Sequence, residues 1–113
     1  MATTEKKKTP TPEAALHAFW TALGAGELDK CLALWPGLVE TYGGKGHARV
    51  KLQSILRGDV VRQVVPGRPT FDRRRARATL SYRVTLKGGR SLFGTASLHF
   101  DEKGKRWLID GGI

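Results

Sequence analysis

Hydrophobic residues recur at helical spacing through the first third of the chain. The stretch "FWTALGAGELDKCLALWP" (19–36) has the pattern of the end of one helix, a glycine break and a second helix that ends at proline. Thr11 is predicted to cap the first helix, with Pro12 in its first turn. The spacing predicts two buried faces, one formed by Leu16, Phe19, Trp20 and Leu23 and the other by Leu28, Cys31, Leu32 and Trp35.

After the second helix, the pattern predicts one short strand and one more helix. "VETY" (39–42) reads as the strand, and "HARVKLQSILRG" (47–58) reads as a third helix that ends near Gly58. The buried face of this helix is predicted to consist of Leu52, Ile55 and Leu56.

From residue 59 onward, the period of hydrophobicity changes to that of strands. "VVRQVV" (60–65) is a strand candidate, and three long antiparallel strands follow in "RARATLSYRVTL" (75–86), "RSLFGTASLHF" (90–100) and "RWLID" (106–110). Alternation gives the first long strand an apolar face of Ala76, Ala78, Leu80, Tyr82, Val84 and Leu86, and a polar face of Arg77, Thr79, Ser81, Arg83 and Thr85. The pattern therefore predicts an α+β fold with three N-terminal helices packed on a curved, mainly antiparallel sheet.

Length and composition indicate a single domain preceded by a tail. Residues 1–10 are mainly Thr, Lys and Pro, and they are predicted to be a disordered basic tail before a domain at 11–113. Twenty Lys and Arg against ten Asp and Glu give a formal net charge of +10. This charge favours encounters with anions, so nucleic acid, acidic lipid, acidic protein and anionic metabolites are all eligible partners.

The single cysteine and the lack of a long apolar stretch help to predict the cellular compartment of the protein. Cys31 has no second cysteine to pair with, so an intramolecular disulfide is excluded. No stretch approaches the length of a membrane span, and the basic N-terminus is not followed by an apolar signal region. We expect a cytoplasmic protein, although an exported chain after removal of its signal would have the same pattern.

The order of elements resembles the nuclear transport factor 2-like superfamily, which includes SnoaL-like cyclases and ketosteroid isomerases. The resemblance lies in "FWTALGAGELDKCLALWP", which is similar to that family's first two helices and the corner between them, and in the C-terminal "HF-DEKGK-RWLID". It covers about residues 12–110. It implies that the helices close a curved sheet into a cone and that ligands and catalytic groups lie inside the cone.

The isomerase catalytic residues are not found at the corresponding positions. Phe19 stands where the resemblance implies a catalytic tyrosine, and Glu40 or Tyr42 is the only substitute for the general base. The late-strand carboxylic acid is replaced by Ala96 or Ser97. Steroid isomerase chemistry is therefore not expected.

Aromatic residues are the first candidates for a ligand site. Their large apolar bodies with polar tips could line a pocket or simply form the core. The small residues Ala76, Ala78, Gly94 and Ala96 on the predicted inner face allow either an apolar cavity or close packing. The predicted pocket residues are Trp20, Trp35, Tyr42, Tyr82 and Trp107, and the weak catalytic candidates are His17, Tyr42 and Tyr82.

No metal or cofactor motif is present. His17, His47 and His99 are far apart and lack ligand spacing, so neither a metal site nor a cofactor is predicted. Cys31 lies on an apolar stripe and reads as a buried structural thiol. Alternation sends Asp110 to the outer face of the sheet unless a bulge changes its direction.

A group of arginines is the candidate anion-binding site. Alternation places Arg73, Arg75, Arg77 and Arg83 on one side of the long strand, and Arg74 extends the group. The same polar face, with its Ser and Thr residues and Phe93, resembles the sheet surface through which the superfamily often dimerises. A homodimer through the sheet is accordingly expected.

Three functions are compatible with these patterns. The leading hypothesis is a domain that binds a small apolar or mildly anionic ligand without identified catalysis. The alternative is a SnoaL-like or isomerase-like enzyme acting on an enolisable substrate. The second alternative is a module whose arginine-rich sheet face binds nucleic acid or an acidic protein.

Overall fold

The structure is a computed structural model that describes residues 10–113, in which helices are followed by strands as the hydrophobic pattern predicts. The helices are α1 (Pro12–Gly24), α2 (Leu28–Leu34), α3 (Gly37–Tyr42) and α4 (Lys45–Leu56). The strands are β1 (Val61–Pro66), β2 (Thr70–Phe71), β3 (Arg77–Leu86), β4 (Ser91–Asp101) and β5 (Arg106–Gly111). The α+β class is confirmed, and the predicted tail at 1–10 lies outside the described residues except for Pro10.

Helix α1 has the predicted start and end. The Thr11 side chain accepts a hydrogen bond from the Ala14 amide at 3.1 Å, and Pro12 occupies the first turn. The chain leaves the helix at Gly24 and turns at Gly26, whose φ of 76° is a conformation that glycine adopts without a steric penalty. The predicted face of Leu16, Phe19, Trp20 and Leu23 is fully buried, and α1 contacts β1, β3 and β5.

The prediction of a strand at "VETY" is wrong, because these residues form the end of α3. Pro36 precedes this helix with φ of −65°, which is already a helical value. Leu38 is buried on the helix, and Gly43 ends it with φ of 76°. Four residues are too few to separate a strand from a helical turn by their periodicity, so the local proline and glycine signals decide the outcome.

The strands form one antiparallel sheet in the order β1-β3-β4-β5, with β2 paired to β3. Residues alternate along β3 between buried and exposed, as predicted. The inner face packs under α1, and the outer face carries the hydroxyl pairs Thr79–Ser97 and Ser81–Thr95. Among the residues from 10 to 113, no helix has the length and hydropathy required to cross a membrane.

Gly94 on the inner face is covered by a neighbouring side chain. Tyr82 lies directly opposite Gly94, and a Cβ added at Gly94 would lie 2.6 Å from the Tyr82 hydroxyl oxygen and 3.1 Å from the Gly112 carbonyl. The Tyr82 hydroxyl donates a hydrogen bond to that carbonyl at 2.9 Å. The lack of a side chain at Gly94 therefore makes room for the Tyr82 side chain and does not leave an open volume.

We expect Gly94→Ala to destabilise the fold by about 1–3 kcal/mol, the usual cost of inserting a methyl group into a filled core. Chemical denaturation measures this change in the free energy of unfolding. Gly111→Ala is the matched control on the next strand, because a Cβ there meets no atom within 4 Å. Equal stabilities of the two variants would show that the contact between Tyr82 and Gly94 does not constrain the fold.

Candidate functional site

Four of the five predicted pocket aromatics are core residues. Trp20, Trp35, Tyr82 and Trp107 are each less than one tenth exposed, whereas Tyr42 is 41% exposed. The Trp20 and Tyr82 rings lie 5.5 Å apart between centroids, in a tilted arrangement. Trp35 packs against Phe19 at 5.9 Å, and Trp107 lies at the other side of the core against Phe100. These rings contact core side chains rather than surround a single opening.

Two polar atoms of this aromatic group are buried. Burial raises the pKa of the Tyr82 hydroxyl above its ordinary value, and its hydrogen bond to Gly112 further ties it to the end of the chain. The Trp20 Nε1 is the one fully buried side-chain nitrogen or oxygen that has no hydrogen-bond partner among the described residues. Such an orphaned donor is uncommon in folded proteins.

The three weak catalytic candidates occupy different environments. His17 is exposed on α1, where its Nδ1 lies 3.4 Å from the Thr21 hydroxyl oxygen. Tyr42 is exposed at the end of α3, and Tyr82 is buried on the inner face of the sheet. The structure therefore does not gather the three side chains around one reacting centre.

The remaining single residues have ordinary surroundings. Cys31 is buried with its thiol 3.7 Å from the Phe19 carbonyl, and burial raises its pKa to about 11. His47 is exposed in the first turn of α4. Among residues 10–113, no group of three or more His, Cys, Asp or Glu side chains is placed to hold a metal ion.

The predicted arginine stripe is divided by the turn that precedes β3. The strand begins at Arg77, so Arg73, Arg74 and Arg75 lie in the turn and do not alternate along a strand. Arg75 has a φ of 57°, and the Asp72 Oδ1 accepts hydrogen bonds from the Ala76 and Arg77 amides at 2.9 and 3.1 Å. Placement of Arg73 and Arg75 on the strand face is thus wrong, because the Asp72 side chain stabilises a turn there.

Arg83 is also separated from the others. It lies six residues along β3 from Arg77, a distance of about 20 Å in an extended strand. Its neighbours on the outer face are Val65 on β1 and Phe93 on β4. Only Arg73, Arg74, Arg75 and Arg77 therefore remain together.

A second basic turn lies beside the first one. The β4–β5 turn carries Lys103 and Lys105, and Arg106 begins β5 opposite Asp101. Antiparallel pairing places this turn at the same end of the sheet as the start of β3, because Arg77 pairs with His99 and the Phe100 amide donates to the Ala76 carbonyl at 2.8 Å. We call this region the basic end, defined by Arg73, Arg74, Arg75, Arg77, Lys103, Lys105 and Arg106.

The cationic side chains of the basic end are available to a partner. All seven are exposed, and none forms a salt bridge with another described residue. Glu102 is exposed in the second turn, and the other nearby acids, Asp72 and Asp101, accept hydrogen bonds from amides of their own turns, with Gly104 N at 3.2 Å from Asp101. Backbone capping thus engages the Asp72 and Asp101 carboxylates and leaves the arginines and lysines facing solvent.

Aromatic side chains lie directly behind the first basic turn. The Phe71 and Trp107 ring centroids are 5.9 Å apart, and Phe100 is 5.5 Å from Trp107. The Arg75 guanidinium carbon lies 4.9 Å from the Phe71 centroid, which is a cation–π contact. The basic end therefore combines positive charge with a partly exposed stack of a guanidinium on an aromatic ring.

A histidine–aspartate pair borders the basic end on the outer face. The His99 Nδ1 is 2.7 Å from the Asp110 Oδ1, and both side chains are little more than one third exposed. The register between β4 and β5 shifts between Ser97 and Leu98, which places Asp110 at an irregularity in the strand pairing. Asp110 lies on the outer face, as alternation predicts.

A separate cleft lies at the glycine corner between α1 and α2. Its volume is about 480 Å³, and it extends to the end of α4. Its apolar lining comprises Leu23, Leu28, Leu52, Leu56 and Val60. Asp59 is its charged residue, and its Oδ1 accepts from the Val60 and Gly88 amides.

The contribution of Lys103, Lys105 and Arg106 to the basic end was not predicted from the sequence. The signal was available, because a three-strand meander brings the start of its first strand and the turn between its second and third strands to the same end. The two-residue strand β2 was not predicted, since "TF" is too short to show a period.

Comparison of the chain with protein-family models, with curated proteins and with solved structures gives no match. The resemblance to the nuclear transport factor 2-like superfamily, and with it the cone shape of the sheet, stays a prediction.

Proposed function

We propose that the protein binds nucleic acid through the basic end of its sheet. The observation that carries this proposal is the meeting of two basic turns, from residues 73–77 and 103–106, at one end of one sheet. Lys and Arg side chains that neutralise phosphates release condensed counterions, and this release drives association. The net charge of +10 adds long-range attraction to the same class of partner.

The clustering of the cations in two turns favours a polyanion over a single small anion. Three arginines in succession on a tight turn present several planar guanidinium groups, which match phosphate geometry. The second turn adds two lysines within the same end of the sheet. A polymer with regularly spaced phosphates can contact both turns at once, whereas a single small anion cannot.

Neutralising two arginines of the first turn should weaken binding and reduce its salt dependence. We expect the double variant Arg73→Ser/Arg74→Ser to lower the slope of log K against log salt by about 0.7 for each lost contact with a single strand. Fluorescence anisotropy with a labelled oligonucleotide over a range of salt concentrations measures the slope.

The control removes the same charge elsewhere on the molecule. Arg62 and Arg83 are exposed outside the basic end, so Arg62→Ser/Arg83→Ser should leave the slope close to that of the original protein. Equal losses in the two double variants would indicate attraction by net charge alone and would contradict a site at the basic end.

A small apolar or mildly anionic ligand is the second candidate, and the cleft at the glycine corner favours it. Its volume of about 480 Å³ lies within the range of small-molecule pockets, about 300–1,000 Å³. Five aliphatic side chains line it, and Val60 is 48% exposed at its wall. A ligand bound there would contact the cleft and not the buried aromatic residues.

Decanol is a suitable probe of this cleft, because Asp59 is the one charged residue of its lining. A ligand that binds only the folded state raises the melting temperature in proportion to the logarithm of its excess over Kd, which thermal denaturation measures. We expect Val60→Glu to abolish the shift and Val50→Glu, on the exposed side of α4, to retain it. An unchanged shift in Val60→Glu, or none in the original protein, would contradict this candidate.

A homodimer through the outer face is a further proposal, and exposed apolar side chains favour it. Phe93 is 71% exposed and Val65 is 41% exposed, on either side of Arg83 in one row across the sheet. Aromatic side chains such as Phe93 are enriched at protein–protein interfaces. The basic end would project from the edge of such a dimer.

Replacement of Phe93 should disrupt this dimer. We expect light scattering to give a dimer mass for the original protein at micromolar concentration and a monomer mass for Phe93→Asp, because a buried charge opposes association. Val50→Asp, which alters an apolar residue that is 64% exposed on α4, should remain dimeric. A monomer mass for the original protein would overturn the proposal.

The isomerase-type alternative stays a prediction. It would require His17, Tyr42 or Tyr82 to handle a proton of an enolisable substrate, and their different environments give it less support than the basic end gives to nucleic-acid binding. The cytoplasmic location likewise stays a prediction, and a lone buried cysteine is compatible with it.

A further inference from the structure

A small recess opens between β2 and β3 at the basic end. Its volume is about 260 Å³, and the residues around it are Thr70, Phe71, Asp72, Arg77, Ala78 and Thr79. This volume is below the range of about 300–1,000 Å³ that is typical of sites for drug-sized molecules. The recess therefore suits one group of limited size.

The polar lining of the recess is held in place by the turn. The Asp72 Oδ1 accepts two amide hydrogen bonds, and the Asp72 amide in turn donates to the Arg77 carbonyl at 3.1 Å. The Oδ2 atom makes no hydrogen bond to any residue that the structure describes. Asp72 therefore presents a fixed acceptor that carries negative charge, while Thr70 and Thr79 pair across the two strands beside it.

Phe71 forms one wall of the recess, and the Arg75 guanidinium covers one face of its ring. The guanidinium carbon lies 4.9 Å from the ring centroid. Both aromatic rings and guanidinium planes stack on unpaired bases in complexes with single strands. Arg77 lines the same recess and belongs to the basic end, so a phosphate next to a stacked base has a cation within the site.

We infer that the recess is a nucleobase subsite and that the nucleic acid is single-stranded, with preference for a base that carries an exocyclic amino group. This inference rests on the proposed function of the basic end. A carboxylate accepts from the amino group of cytosine or adenine, whereas uracil and thymine present a carbonyl oxygen at that position and would meet the Asp72 charge unfavourably. A base within a duplex cannot enter, because it is stacked between its neighbours and held inside the helix.

Fluorescence anisotropy with short labelled oligonucleotides tests the inference. The probes are oligo-dC, oligo-dT, an abasic strand of equal length and a duplex, all at the same salt concentration. We expect oligo-dC to bind at least about fivefold more tightly than oligo-dT, which corresponds to the lower end of the discrimination from one base-edge contact. Loss of stacking should weaken the abasic strand by about fivefold or more relative to oligo-dC.

Asp72→Asn separates the base contact from the stability of the turn. The amide oxygen of asparagine can still accept from the Ala76 and Arg77 amides, so we expect the circular dichroism spectrum to be unchanged. The preference for oligo-dC over oligo-dT should fall to near unity, and the affinity for oligo-dT should rise as a negative charge is removed. The matched control is Glu102→Gln, which removes one negative charge from the second turn outside the recess and should retain the preference.

The outcomes distinguish this inference from the proposed function. Equal affinities for oligo-dC, oligo-dT and the abasic strand, with a steep salt dependence, would overturn the base subsite and leave the basic end as a phosphate-binding surface. Tighter binding of the duplex than of the single strands would likewise overturn the base subsite and leave the basic end as a phosphate-binding surface. An Asp72→Asn variant that keeps the full preference would also overturn the subsite, and absence of binding to every probe would overturn both proposals.

Discussion

The contact of Tyr82 with Gly94 and Gly112 is the packing constraint on which the rest of the structure depends. Its ring occupies the position that a side chain on Gly94 would need, and its hydroxyl donates to the Gly112 carbonyl at 2.9 Å. One residue thus joins β3, β4 and the segment after β5. The inner face closes at the centre of the sheet, and Trp20 packs on the same ring from α1.

Because the inner face is closed, the candidate binding sites lie on the surface of the protein. With Trp20, Trp35, Tyr82 and Trp107 buried among core side chains, the aromatic residues contribute mainly to the free energy of folding. The positive charge, in contrast, is concentrated where two turns meet. Antiparallel pairing places both turns at one end of the sheet, while backbone amides engage Asp72 and Asp101. Fold topology, more than the number of basic residues, creates the basic end.

Elements with a full period or a specific cap could be predicted from the sequence. The Thr11 cap, the end of α1 at Gly24 and the two faces of β3 each follow from several residues that agree. Short segments could not be predicted in this way. "VETY" forms part of α3 because Pro36 and Gly43 fix its ends, and Arg73 and Arg75 leave the strand because one side chain, Asp72, caps a turn.

The candidate site was predictable only in part, for a related reason. Local sequence reveals the arginines of the first turn, but their proximity to Lys103 and Lys105 depends on the pairing of distant strands. The recess beside Asp72 depends on β2, which is two residues long and has no detectable period. The packing of Tyr82 over Gly94 also depends on the register of β3 and β4, and a one-residue slip of these strands would abolish that packing.

Chemical-shift mapping would test most directly whether binding occurs at the basic end rather than within the helices or the core. In a titration of isotope-labelled protein with a short single-stranded oligonucleotide, binding at the basic end predicts that amide shifts change mainly in residues 70–79 and 101–107. Changes confined to the glycine corner and the end of α4, or to the outer face around Phe93, would contradict it. Unchanged spectra throughout the titration would contradict it as well.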